Sequence, residues 1–115
     1  MVNLSFLIHK LIGMQAVVDY EFSKGSQNEV IVIELSIAAK NVIHTFHFRN
    51  PYEILHTHGS AENRLNWDVG NIPYNQLETA LSESVARYAH LYSYRISKCN
   101  FLAELIVHSV LNLED

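Results

Sequence analysis

At 115 residues the chain has the length of one small domain. Twelve acidic side chains against eight basic ones leave a net charge of −4, which argues against the broad basic surface behind non-specific DNA affinity. Hydrophobic residues make up 49% and charged residues 17%, below the usual share of about 25%; such a chain folds, and has apolar surface left for a partner or a second copy.

Residues 1–13 form an apolar N-terminal packing segment with Leu4, Phe6, Leu7, Ile8, Leu11 and Ile12. His9 and Lys10 fall inside the apolar stretch and no small-x-small cleavage pattern follows, so a secretory signal is not expected. The single cysteine, Cys99, excludes an internal disulfide and fits a reducing compartment, cytoplasm or nucleus. No apolar run approaches the roughly 18 residues of a membrane span.

Residues 14–115 read as one domain. Met14 to Phe22 is β-branched and aromatic enough for a strand. Ser23 to Asn28 is turn-forming, and Glu29 to Ala38 is a nearly continuous apolar run, the pattern of a strand buried on both faces. Lys40-Asn41 makes the next turn and Val42 to Phe48 a third strand, completing an antiparallel meander. Arg49 to Tyr74 holds both prolines and reads as a long irregular connection. Leu77, Leu81, Val85 and Tyr88 then fall on one helical stripe. His90 to Ile96 alternates as a strand. Ser97 is the expected N-cap of a last helix with Phe101, Leu102, Leu105, Ile106, Val110 and Leu111 on its apolar face. The order β-β-β-α-β-α implies an α/β domain whose fourth strand runs parallel to the first after a helical crossover.

Asp19 and Glu21 sit two apart on the first strand, so their side chains project from one face, about 6–7 Å apart. Two convergent carboxylates suit hard divalent ions, and two such ions about 3.5–4 Å apart suit phosphodiester hydrolysis. The alternative is a solvated strand end.

The stretch VVDYEFSKGSQNEVIVIELSIA resembles the opening of DEDD-type 3′–5′ exonucleases, which have a ribonuclease H-like fold. In that family the first strand ends in an Asp-x-Glu metal pair and the second carries a pattern that Val32-Ile33-Glu34-Leu35 is similar to. Leu65 to Leu77 and Leu91 to Ile106 resemble segments of exonuclease-like proteins of insects and of the elements that parasitise them. The resemblance implies a ribonuclease H-like mixed sheet and a Mg²⁺- or Mn²⁺-binding role for Asp19 and Glu21. It also exposes departures. The family's third carboxylate lies near the fourth strand, where this chain has Ser97-Lys98-Cys99-Asn100-Phe101, and a neutral Asn100 does not replace an anionic ligand. The last strand and helix, with the fourth carboxylate and its general base, are expected to be missing. Asp68 and Glu104 substitute only if the fold brings them round. A sheet so shortened would leave an apolar face for a homodimer to cover.

The other chemistry-bearing residues have plainer readings. His44 and His47, three apart on a strand, point to opposite faces and cannot share an ion. His56 and His58 could converge in the long loop, but zinc needs three or four ligands and no cysteine pair helps. Trp67 is expected to anchor that loop, or with Arg64 to form an interface hot spot. Tyr88, Tyr92 and Tyr94 could stack bases, yet only Arg87, Arg95 and Lys98 accompany them, so sheet packing is expected.

The expectation is therefore a catalytically degenerate exonuclease-like module that needs no cofactor and acts by protein binding or self-association. Its alternatives are a Mg²⁺- or Mn²⁺-dependent 3′–5′ exonuclease using Asp19 and Glu21, and a nucleic-acid binder that cleaves nothing.

Overall fold

The computed structural model describes residues 15–51 and 70–114. Three strands come first: β1 (Gln15–Lys24), β2 (Val30–Ala39) and β3 (Val42–His47). A 3-10 turn (Tyr74–Gln76) leads into α1 (Leu77–Val85), followed by β4 (His90–Ser93), α2 (Ile96–Ile106) and β5 (Val110–Asn112). They build an α/β mixed sheet of five strands in the order β3-β2-β1-β4-β5, consistent with a ribonuclease H-like core. β4 runs parallel to both of its neighbours: Val17 lies opposite Tyr92, and Tyr92 opposite Leu111. The expected parallel pairing of first and fourth strands is thus present.

The last strand of the fold is not missing, because residues 110–112 form it. The spacing from Ile106 to Val110 imitates one more helical turn, but α2 stops at Ile106 and Val107 takes a left-handed conformation, φ 53° and ψ 53°. Its N–H still bonds back to the carbonyl of Ala103, as does that of His108 at 3.2 Å, and the chain then leaves for the sheet edge. Helix α2 also starts earlier than its sequence suggests. Arg95, not Ser97, is the capping residue, without a side-chain cap and at φ 70°, ψ 133°; its carbonyl accepts the N–H of Cys99 at 3.1 Å.

The described residues fall into two compact units through which β1, β2 and β3 all run. The first comprises residues 15–19, 36–44 and 78–114. Its core gathers Ala16, Val17, Ala38, Leu81, Leu91 and Leu102, all essentially without solvent exposure. Tyr92 and Tyr94 pack against Val17 and Ala38, and the Gln15 amide donates to the Tyr92 hydroxyl at 3.1 Å. These tyrosines therefore do the sheet packing expected of them.

The second unit comprises residues 20–35, 45–51 and 70–77. β1 extends two residues past the expected strand end, and the turn tightens to residues 25–29, with the N–H of Gly25 bonded to the carbonyl of Glu29 at 2.9 Å. Phe48, fully buried, leaves β3 to bridge Ile72 in parallel. Its ring meets Tyr74 edge-on, centroids 6.1 Å apart, and the Tyr74 hydroxyl accepts the Val32 N–H at 2.9 Å. Burial pushes the Tyr74 phenol pKa up, against the lowering effect of that backbone bond.

β2 is buried on both faces as its composition predicts, Ile31, Ile33, Leu35 and Ile37 alternating with Val32, Ser36 and Ala38. The expectation of an uncovered apolar face does not hold for this strand. Exposed large apolar residues among those described are Phe22 on β1, Ile43 on β3, and Ile96, Val107, Leu111 and Leu113 at the ends of α2 and on or just after the outer strand β5, the most exposed being Val107, Ile96 and Leu111. Among the described residues no helix is long and apolar enough to cross a membrane.

Candidate functional site

β1 places Asp19 at its middle, the fifth of ten residues, and not at the strand end that the sequence pattern suggests, because the strand runs on to Lys24. The parallel register sets Val17 opposite Tyr92, one residue before β4 ends at Ser93. Asp19 lies two positions beyond Val17, beside the point where the chain leaves β4 and turns into α2. In α/β sheets the crevice outside the carboxyl ends of parallel strands is the usual ligand position.

Asp19 is completely buried, which an ionised carboxylate tolerates only with a compensating charge or hydrogen bonds. The first turn of α2 supplies a charge. Lys98 Nζ donates to Asp19 Oδ1 at 2.7 Å, within the short range of charge-assisted bonds. The Asp19 side chain is 1% exposed and that of Lys98 15%. Cys99 and Leu102, buried next to Lys98 and one turn on, hold this face of α2 inward. The strained Arg95 backbone sits just ahead of it, in a region that costs a non-glycine residue about 1–3 kcal/mol and persists where the surroundings over-determine it.

Glu21, the second residue of the expected pair, is half-buried in β1. Glu104 and Asn100 are exposed on α2, so neither turns toward the buried Asp19 carboxylate. Among the described residues no group of three His, Cys, Asp or Glu side chains could hold a metal ion. The donor set described therefore does not fit the divalent ions that the exonuclease resemblance implies. Compared with protein-family models, curated proteins and solved structures, the chain matches none.

The histidines do not assemble a site either. His44 is exposed, while His47 Nδ1 lies 4.0 Å from Glu34 Oε2, beyond hydrogen-bond range. His90 is exposed, and His108 Nδ1 donates to the Ser109 carbonyl at 2.7 Å. Arg87 lies over the ring of its neighbour Tyr88, 5.9 Å from the centroid, an intrachain cation–π contact. The packing segment 1–13, and Asp68, His56, His58, Arg64 and Trp67 with the expectations attached to them, lie outside the described residues.

Lys98 is the residue that sequence reasoning missed in this role. It was legible as a basic residue near the fourth strand, but no local pattern ties it to a carboxylate 79 positions away.

Proposed function

We propose that the chain is a catalytically degenerate relative of DEDD-type exonucleases, an intracellular module that works by binding a protein partner or a second copy of itself. One observation carries the loss of chemistry: the carboxylate that resembles the first metal ligand of that family is bonded, buried, to the Lys98 ammonium. Phosphodiester hydrolysis by paired divalent ions needs that oxygen for a metal. An ammonium neutralises the carboxylate but offers neither Lewis acidity nor a bound water to activate.

Association is supported by the apolar side chains left in solvent. Val107 is 91% exposed, Ile96 63% and Leu111 53%, all at α2 or the outer strand β5. Residues 105–113 contain no Asp, Glu, Lys, Arg or Pro, the devices that normally guard a sheet edge.

The test is a nuclease assay on 3′-labelled single- and double-stranded DNA and RNA with Mg²⁺ or Mn²⁺, run beside light scattering at micromolar concentration. No cleavage and a mass above one chain, alone or with a co-purified protein, agree with the proposal. Metal-dependent cleavage abolished by Asp19→Asn/Glu21→Gln overturns it in favour of the two-metal exonuclease. Steeply salt-dependent binding of uncleaved nucleic acid favours the non-cleaving binder instead.

A further inference from the structure

We infer that β5 is a dimer edge: two copies of this chain pair antiparallel through Val110–Asn112, with Leu111 of each copy at the two-fold axis. The inference deepens the proposed function, rests on its reading of the chain as an association module, and commits that module to a second copy.

The backbone sets the register. In a strand the N–H and C=O of one residue point to the same side, and those of the next residue to the other. β4 runs parallel to β5 with Tyr92 opposite Leu111, and the Leu113 N–H donates to the Ser93 carbonyl at 2.9 Å. That bond fixes the phase. Leu111 and Leu113 turn their backbone groups toward β4, so Val110 and Asn112 turn theirs toward the open edge of the sheet. Such an edge is its own complement. Antiparallel pairing about Leu111 sets Val110 against the copy's Asn112 and Asn112 against the copy's Val110, each pair exchanging both backbone bonds. Leu111 then meets its own counterpart in the closer, non-hydrogen-bonded position, with Cα atoms about 4.5 Å apart.

Charge favours a second copy as the occupant. Residues 105–113 hold no Asp, Glu, Lys or Arg although the chain carries a net −4, so a copy brings no like charges to this seam. The antiparallel sense also sets the Glu114 end of one copy beside the His108 end of the other and keeps Glu114 away from Glu114. Apolar surface comes to both sides of the axis. Leu111 is more than half exposed, and Val107 and Leu113, just outside the two ends of β5, are exposed as well. Pairing takes these side chains out of water and closes an edge that otherwise offers its backbone to any strand. A two-fold contact of this kind is closed, so it stops at two chains.

The experiment uses the full chain, with light scattering at micromolar concentration and circular dichroism to report folding. Four proteins are compared: wild type, Leu111→Lys, Leu111→Glu and Leu111→Cys. The wild type has the mass of two chains. Leu111→Lys and Leu111→Glu each fall twofold, to one chain, with the circular dichroism of the wild type, because like charges meet at the axis. Mixed in equal amounts they return to two chains, since opposite charges then face each other. Leu111→Cys gives a covalent dimer under mild oxidation, because facing residues at that spacing lie within disulfide reach; the wild type, whose Cys99 is buried, does not. If a charged variant fails to fold, the cysteine cross-link decides.

Three results overturn the inference: a wild type with the mass of one chain, a dimer that both charged variants keep, or a Leu111→Cys protein that does not cross-link. Any of them, with no cleavage by the wild type, leaves the proposed function standing through another surface or partner. Metal-dependent cleavage by the wild type sinks the proposed function itself, whatever its mass.

Discussion

The hydroxyl of Tyr74 accepts the backbone N–H of Val32 at 2.9 Å, although 42 positions separate the two residues. Phe48 packs edge-on against the same ring, so one side chain ties the segment before α1 to both β2 and the strand-leaving Phe48. Replacing Tyr74 by Phe keeps the ring and leaves the Val32 N–H without this acceptor, at a cost of about 1–3 kcal/mol in urea unfolding near neutral pH. The pH dependence has a definite sign. Burial raises the folded-state phenol pKa above the unfolded value of about 10, so this stability is fully present below about pH 10 and is lost as pH rises through the folded pKa. The gap between wild type and Tyr74→Phe should narrow in alkali; a gap independent of pH would show that the phenol is not desolvated.

A β-branched residue ends α2 in the left-handed region, where glycine is the usual occupant. Val107 is 91% exposed, so its side chain contributes little packing to lose. Val107→Gly should raise stability by about 1 kcal/mol by relieving this backbone cost. The check is a chemical-denaturation midpoint, and an unchanged or lower value would mean that residues 106–109 turn differently.

Gly70 supports the parallel bridge between Phe48 and Ile72. A Cβ placed there would run into the backbone carbonyl of Phe48, and backbone cannot swing aside. At Gly25 the nearest atoms are the flexible carboxyl end of Glu29, followed by the Ile31 side chain. Gly70→Ala should therefore cost about 1–3 kcal/mol and Gly25→Ala less. Equal effects in urea melts would contradict the close approach of Gly70 to Phe48.

Much of this architecture was legible in the sequence because it is written in local patterns. The unbroken apolar run of β2, the turn at Lys40-Asn41 and the stripe Leu77–Leu81–Val85 each determine an element from its own residues. β5 was not legible because Val110 follows Ile106 at helical spacing, and only the left-handed turn at Val107 sends it to the sheet. The start of α2 is not legible either: Ser97 is a good capping residue, yet the helix begins after Arg95, whose carbonyl accepts the Cys99 N–H and whose side chain makes no cap. Asp19 was legible as a candidate ligand from its position in β1. Its bond to Lys98 was not, since pairing across 79 positions depends on how α2 docks.

The most direct test of the account is a double-mutant cycle on Asp19 and Lys98, with stability measured by urea unfolding near pH 7 in metal-free buffer. Breaking a buried ion pair by removing one partner costs about 3–5 kcal/mol, because the remaining group is left buried and uncompensated. Asp19→Asn and Lys98→Met should each be strongly destabilising, and the double variant should be more stable than the sum of the two losses allows. Effects that add to within about 0.5 kcal/mol would mean the two side chains do not interact. In that case Asp19 is not held by Lys98, and the argument for lost metal chemistry falls with it.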